Sequence, residues 1–229
     1  MRETGAARAK RLFGLGGEGL SGAIFDLDGV LVDTARYHFM AWSRLAGELG
    51  IGFTEADNER LKGVSRARSL EILLETGGIA MGDAQKELAA ARKNAWYVEC
   101  LLGLDETALL PGAKGYLMLL RENGIRIALG SASRNAPLIL DRLNIAALFD
   151  AAIDGNSVER AKPDPEVFLS GARALGLAPA RCVVFEDALA GIEAARAGGM
   201  KVVAVGRAEL LPGADRYVES LADMLSQNA

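Results

Sequence analysis

Two aspartates two residues apart, Asp26 and Asp28, follow the apolar run Ala23-Ile24-Phe25 and precede Gly29. On an extended strand end, such a pair directs both carboxylates to one side, roughly 6 to 7 Å apart along the chain, so both can act on one substrate. One carboxylate can attack phosphorus and form an aspartyl-phosphate, while the other donates or accepts the proton of a substrate hydroxyl. Gly29 lets the backbone turn tightly beside them. Taken alone, an Asp-x-Asp pair describes solvent-facing loop carboxylates equally well.

Other apolar runs also end in polar groups. Ser131 follows Arg126-Ile127-Ala128-Leu129, and Glu186 with Asp187 follows Cys182-Val183-Val184-Phe185. In a parallel sheet these ends share one edge. Four carboxylates gathered there would raise one another's pKa values unless a cation offset them. A hard divalent ion is therefore implied. Magnesium fits best, because it takes few protein carboxylates and keeps room for a phosphate oxygen. A single histidine in the whole chain argues against a zinc site of nitrogen and sulfur ligands.

The elements that must position these groups are legible as pattern. The three apolar runs, with Lys201-Val202-Val203-Ala204-Val205, read as strands buried on both faces of a parallel sheet, and Ala151-Ala152-Ile153-Asp154 is a plausible further strand. Helical patterns at Ala136 to Leu143 and Pro165 to Leu175 alternate with them. The expected fold is therefore α/β, a Rossmann-like doubly wound parallel sheet. From about Arg36 to Asp105 only helical periodicity is present, in segments near Tyr37 to Leu49, Glu55 to Leu61, Arg66 to Glu75 and Asp83 to Leu101. An all-helical insert at that point sits over the carboxyl ends of the strands, where α/β proteins bind ligands. The expected division is a tail over 1–20, a core over 21–35 and 106–229, and a helical cap over 36–105.

A chain of 229 residues, half of them apolar, is long enough for such a core and its insert. Its net charge of −4 argues against a nucleic-acid partner. Cys100 and Cys182 lie far apart and outside metal-ligand spacing, so they are expected as reduced thiols. No apolar run approaches the ~20 residues that cross a bilayer, and Met1 to Gly22 lacks the apolar stretch of a secretory signal. The expectation is a cytoplasmic monomer with no membrane partner. The leader, with Arg2, Arg8, Lys10 and Arg11 among glycines, reads as a disordered tail, with a basic targeting arm as the alternative.

The run Phe25-Asp26-Leu27-Asp28-Gly29-Val30-Leu31-Val32-Asp33-Thr34 closely resembles the first motif of the haloacid dehalogenase-like phosphotransferases. Their other motifs follow in order: Ser131, Lys162 ahead of Pro163-Asp164-Pro165, and Glu186-Asp187 ahead of Ala190-Gly191-Ile192-Glu193. The resemblance covers nearly everything from Ser21 to about Arg207. It implies that Asp26 is the nucleophile and Asp28 the general acid and base. It also implies that Asp26, the Asp28 carbonyl, Glu186 and Asp187 surround Mg2+, and that Ser131 and Lys162 hold the transferred phosphoryl group.

The stretches Asp33 to Trp42, Leu61 to Leu70, Arg92-Lys93-Asn94 and Gly130 to Pro137 resemble the sugar-phosphate mutase branch of that family. That branch interconverts β-glucose 1-phosphate and glucose 6-phosphate through β-glucose 1,6-bisphosphate. The likeness implies a sugar-phosphate substrate and a second phosphate site, built from Arg66 of the cap with Ser133, Arg134 and Asn135 of the core. Gly63, Val64 and Ser65 would meet the sugar, with Trp42, Ser69 and Lys93 lining the cap, although Trp42, four residues after His38 on the same helix face, suits plain core packing equally. His38, otherwise an ordinary lone histidine, would position Asp28. Two departures stand out: Arg134 where the pattern has lysine, and Ala188 where it usually has serine. On the same motifs a sugar-phosphate phosphatase is the alternative, and a catalytically silent binding module a remoter one.

Overall fold

The computed structural model describes residues 4–16, 19–61 and 64–226. In chain order, α1 (Gly5–Phe13) precedes β1 (Gly22–Phe25). Then α2 (Ala35–Glu48), α3 (Glu55–Glu59), α4 (Arg66–Gly77) and α5 (Asp83–Leu101) follow with no intervening strand. The rest alternates: α6 (Ala113–Glu122), β2 (Arg126–Gly130), α7 (Ala136–Arg142), β3 (Ala151–Ile153), α8 (Glu166–Ala174), β4 (Cys182–Glu186), α9 (Leu189–Ala197), β5 (Lys201–Val205), β6 (Arg216–Val218) and α10 (Leu221–Ser226). Among the described residues no helix is long and apolar enough to cross a membrane.

The six strands form one sheet in the order β3-β2-β1-β4-β5-β6, with every pair parallel. Every residue of β1 and β4 is buried, as a strand with helices on both faces must be. Successive side chains point to opposite faces and so feed two apolar layers. Phe25 and Phe185 go to one side, stacked with ring centroids 4.4 Å apart and joined by Tyr116 of α6. Ile24 and Val184 go to the other side, with Phe168 of α8 and Ile192 of α9. In this register Phe25 lies beside both Leu129 and Phe185, so Asp26, Ser131 and Glu186 emerge together at the carboxyl edge. Strand order reverses between β1 and β4, and a crevice opens at such a switch point.

The helices between β1 and α6 have an apolar core of their own, built on Trp42, Leu45, Leu70, Leu73 and Leu74. A separate core lets such a unit stand above the sheet rather than be absorbed into it.

The leader differs from the expectation of a disordered tail. The Thr4 hydroxyl caps α1 by accepting from the Ala7 amide at 3.2 Å, and Gly14, at φ 63°, ends the helix. Leu12 and Phe13 are fully buried, and the Phe13 ring lies 6.4 Å from that of Phe185. The Tyr116 hydroxyl donates to the Leu12 carbonyl at 2.8 Å, and Arg216 donates to the Phe13 carbonyl at 3.0 Å. Arg8 and Arg11, expected in a disordered tail, both bond to Asn123. The physical reason is that Ala9, Leu12 and Phe13 share one helical face, and the surface that accepts it comes from distant strands and helices. Strand β6 and helix α10 were likewise not anticipated. Cys100 and Cys182 are both free, as expected.

Candidate active site

Asp26 leaves β1 with its amide donating to the Phe185 carbonyl at 2.9 Å, which ties the aspartate to the end of β4. Gly29 then turns the chain back at φ 84°, where a side chain is strained, and a Cβ there would also overlap the Asp187 carboxylate. Glu186 closes β4 with no exposed surface, and its carboxylate accepts from the Ala188 amide at 2.7 Å. A Cβ at Gly191 would overlap that same carboxylate. Two glycines thus keep open the space that two carboxylates fill.

Lys162 bridges the group. Its ammonium, 3% exposed, donates to Asp26 at 2.5 Å and to Glu186 at 2.6 Å. Burial by itself would lower the Lys162 pKa. The charges and hydrogen bonds of Asp26 and Glu186 together outweigh burial, so the ammonium is held above its ordinary value. Burial raises the Glu186 carboxyl, against the opposing pull of Lys162. Among the described residues, Asp26, Glu186 and Asp187 offer carboxylate oxygens within 4.8 Å of one another. This donor set is all oxygen and all anionic, and it suits a hard divalent cation.

Asp28 is half-buried beside this group and accepts a hydrogen bond from the Thr34 hydroxyl. Burial first, then the Asp26 charge, pushes its carboxyl up to about 7, against the lowering charges of Lys162 and Lys93. Lys93, 2% exposed, lies 2.9 Å from Nδ1 of His38, with the faces of Trp42 and Tyr97 at 4.6 and 4.7 Å from its ammonium. Burial holds His38 well below its ordinary value, and the Lys93 and Arg66 charges add to that. Asp28, Thr34, His38, Lys93 and Tyr97 are therefore electrostatically joined, although they come from the loop after β1, from α2 and from α5.

The residues expected around the two phosphates come from both sides of the cleft. Ser131 is buried, and its hydroxyl accepts from the Ser133 amide at 3.1 Å. The Ser133 hydroxyl accepts from the Asn135 amide at 3.2 Å. Asn135 reaches the cap, its amide donating to Asn94 of α5 at 2.9 Å. Arg66, at the start of α4, has its pKa lowered by burial and then by the charge of Arg134, so the cap guanidinium lies within electrostatic reach of the core one.

Several expected cap contacts are placed otherwise. Trp42 is packed in the cap's core, where it supports Lys93 rather than walling the cleft. Ser69 is buried in the same unit, and the Ser65 hydroxyl caps α4 by accepting from the Arg68 amide at 3.3 Å. Trp42 and Ser69 sit on amphipathic helices whose apolar stripe and cleft-facing side cannot be told apart by spacing, and Ser65 precedes α4 as its cap. Val64 is half-buried ahead of α4, and Gly63 lies outside the described residues. The residue types of Thr34, Asn94 and Gly191 do not by themselves assign them a role in the site. Thr34 lies inside the first motif and Gly191 inside the last, but only contacts show what they touch.

The Lys93 environment carries a pH prediction. Burial, and then the Arg66 charge, lowers its pKa from 10.5 to about 7, against the raising charges of Asp28 and Cys100, while His38 bonds it. The folded state thus holds the proton on Lys93 less tightly than the unfolded chain does. The stability cost is fully present below pH 7 and is relieved as pH rises from 7 to 10.5, at up to about 1.4 kcal/mol per pH unit. Calorimetry of the wild type against Lys93→Met should show the wild type gaining relative stability across that window. Parallel pH profiles would contradict a lowered Lys93 pKa.

Comparison with known proteins supplies an independent view. Residues 20–199 match the family model of the haloacid dehalogenase-like hydrolases. The β-phosphoglucomutase of Bacillus subtilis is 44% identical over 207 residues, which are 90% of this chain and 92% of that protein. A phosphorylated carbohydrates phosphatase of Thermotoga maritima is 33% identical, over 80% of this chain and 83% of its own. The crystal structure of a β-phosphoglucomutase from Clostridium difficile superposes with a TM-score of 0.87 at 38% identity, over 91% of this chain and 97% of that one.

Proposed function

The chain belongs to the haloacid dehalogenase-like hydrolase family, and we propose that within it the chain acts as a β-phosphoglucomutase. It would interconvert β-glucose 1-phosphate and glucose 6-phosphate through an aspartyl-phosphate and β-glucose 1,6-bisphosphate. The relatives named above support this reading, and the observation that carries it is the 2.9 Å hydrogen bond from Asn135 of the core to Asn94 of the cap, which brings the Arg134 loop to the unit that carries Arg66. Two cations brought near each other repel unless an anion lies between them, and a bisphosphate intermediate needs a second anion site.

In one half-reaction an Asp26 oxygen bonds to phosphorus as the bond from phosphorus to the sugar oxygen breaks, and Asp28 gives that oxygen its proton. In the other a sugar hydroxyl bonds to the same phosphorus as the Asp26 oxygen leaves, and its proton passes to Asp28. A carboxyl poised near 7 can hold that proton or release it, the condition for serving both directions. Thr34 holds the Asp28 carboxylate, and His38 with Lys93 sets its electrostatic surroundings. Lys162 places a fixed positive charge beside the nucleophile, and Ser131 offers a hydroxyl to the transferred group. Asp26, Glu186, Asp187 and the Asp28 carbonyl would hold Mg2+, which when bound neutralises charge on the phosphoryl oxygens. Ser133, Arg134 and Asn135, with Arg66, would hold the other phosphate. The backbone of Gly63 and Val64 would meet sugar hydroxyls, and the closed cap would keep water from the aspartyl-phosphate.

The phosphatase among the relatives supplies the second reading, in which water takes the phosphoryl group from Asp26. One assay separates the two. With β-glucose 1-phosphate, a trace of β-glucose 1,6-bisphosphate and Mg2+, glucose 6-phosphate should form faster than free phosphate. Free phosphate as the main product would replace the mutase with the phosphatase.

A further inference from the structure

Arg134 stands on an exposed loop, where a long side chain samples many rotamers, so a phosphate site that relies on it needs something to hold it. We propose that the loop after β3, Asp154–Ser157, is that brace, and that Asp154 and Asn156 are positioning residues for the second phosphate. The inference rests on the mutase reading, in which β-glucose 1-phosphate binds with its own phosphate between Arg66 and Arg134.

The two loops are sewn together at both the backbone and the side chain of Arg134. Its Nε donates to the Gly155 carbonyl at 3.3 Å, and the Asn156 side-chain amide donates to the Arg134 carbonyl at 3.0 Å. One residue earlier, the Gly155 amide donates to the Ser133 carbonyl at 3.3 Å. A Cβ at Gly155 would overlap the Ala132 carbonyl and come within 3.0 Å of Cγ of Arg134, so the absence of a side chain lets the arginine stem lie against the brace.

Asp154 fixes the brace from beneath. Only 6% exposed, it accepts from the Asn156 backbone and side-chain amides, both at 2.9 Å, and from the Ser157 hydroxyl at 2.8 Å. Its carboxylate thus orients the side chain that holds Arg134. The chain of contacts runs from Asp154 to Asn156 to Arg134 and involves none of Asp26, Asp28 or Lys162. A lysine in place of Arg134, as the family pattern has it, would lack the Nε–H that reaches Gly155.

The test compares wild type, Asn156→Ala, Arg134→Ala and the double variant, with kcat and KM measured for β-glucose 1-phosphate and both glucose 6-phosphate and free phosphate quantified. Asn156 is exposed, so the variant should fold, and its melting curve checks this. The expected result is a KM raised about five-fold in Asn156→Ala with kcat within about two-fold, the scale of one lost hydrogen bond. Asn156→Ala should add nothing to Arg134→Ala, because it acts through that residue. An unchanged KM, a fall in kcat alone, or additive effects in the double variant would overturn the proposal. The wild-type product ratio tests the mutase reading separately, and the KM pattern is read on whichever product forms.

Discussion

Asp26→Asn should reduce turnover by about 10⁶-fold, the scale on which a covalent enzyme loses its nucleophile. Asparagine keeps the shape of aspartate and an oxygen that can still accept from Lys162, now at 2.5 Å from the carboxylate. The fold should therefore survive, and the circular dichroism spectrum should overlay that of the wild type. What asparagine lacks is the anionic oxygen that bonds phosphorus. The substitution also removes one of the charges that raise Asp28, so the Asp28 carboxyl should titrate lower in the variant. Rapid-quench labelling with a phosphoryl donor would show phosphoenzyme in the wild type and none in Asp26→Asn. Unaltered turnover in the variant would sink the nucleophile assignment, whichever product the wild type makes.

Lys162→Met should be the most destabilising single change in the site. It removes the cation that bonds both Asp26, 6% exposed, and Glu186, with no exposure, and leaves two buried carboxylates side by side. Stripping one partner from a buried charge cluster costs about 3–5 kcal/mol, mostly because the remaining charges are uncompensated. The pH dependence has a definite sign. Glu186 is already raised by burial, and losing Lys162 raises it further, so the folded variant binds a proton that the unfolded chain releases. For such an acid, stability is lost as pH rises through the folded pKa, and the variant's deficit should shrink in mild acid. Added Mg2+ should recover part of the loss by replacing one cation with another at the same carboxylates. Denaturation in EDTA at pH 8 is the decisive measurement, and a variant as stable as the wild type there would show that Lys162 does not offset these charges. Activity should fall in the same variant by about 10²–10³-fold, as when a preorganised charge is removed from a transition state.

These two residues mark the boundary between what is legible in the chain and what is not. The order of polar groups after apolar runs located Asp26, Asp28, Ser131, Glu186 and Asp187, because a parallel sheet brings strand ends to one edge whatever the loops do. The helical insert was legible because its period never changes to that of a strand. Lys162 is different: it follows no strand, and only the resemblance singled it out. Its bond to Glu186 is a tertiary fact, and so is the bond of Asn135 in the Arg134 loop to Asn94 of the cap.

By itself, then, the sequence determined the α/β class, the helical cap and the carboxylates of the reacting edge, since periodicity and strand-end chemistry are local properties of the chain. Only the tertiary structure decided that the leader is helix α1 under Phe185, that Trp42 packs inward, and that Asn156 grips the Arg134 loop. An amphipathic face states that it will be buried but not against what, and a loop side chain states what it can bond but not which loop will arrive. Those choices depend on contacts between residues far apart in the chain, which are set when the layers close on the sheet.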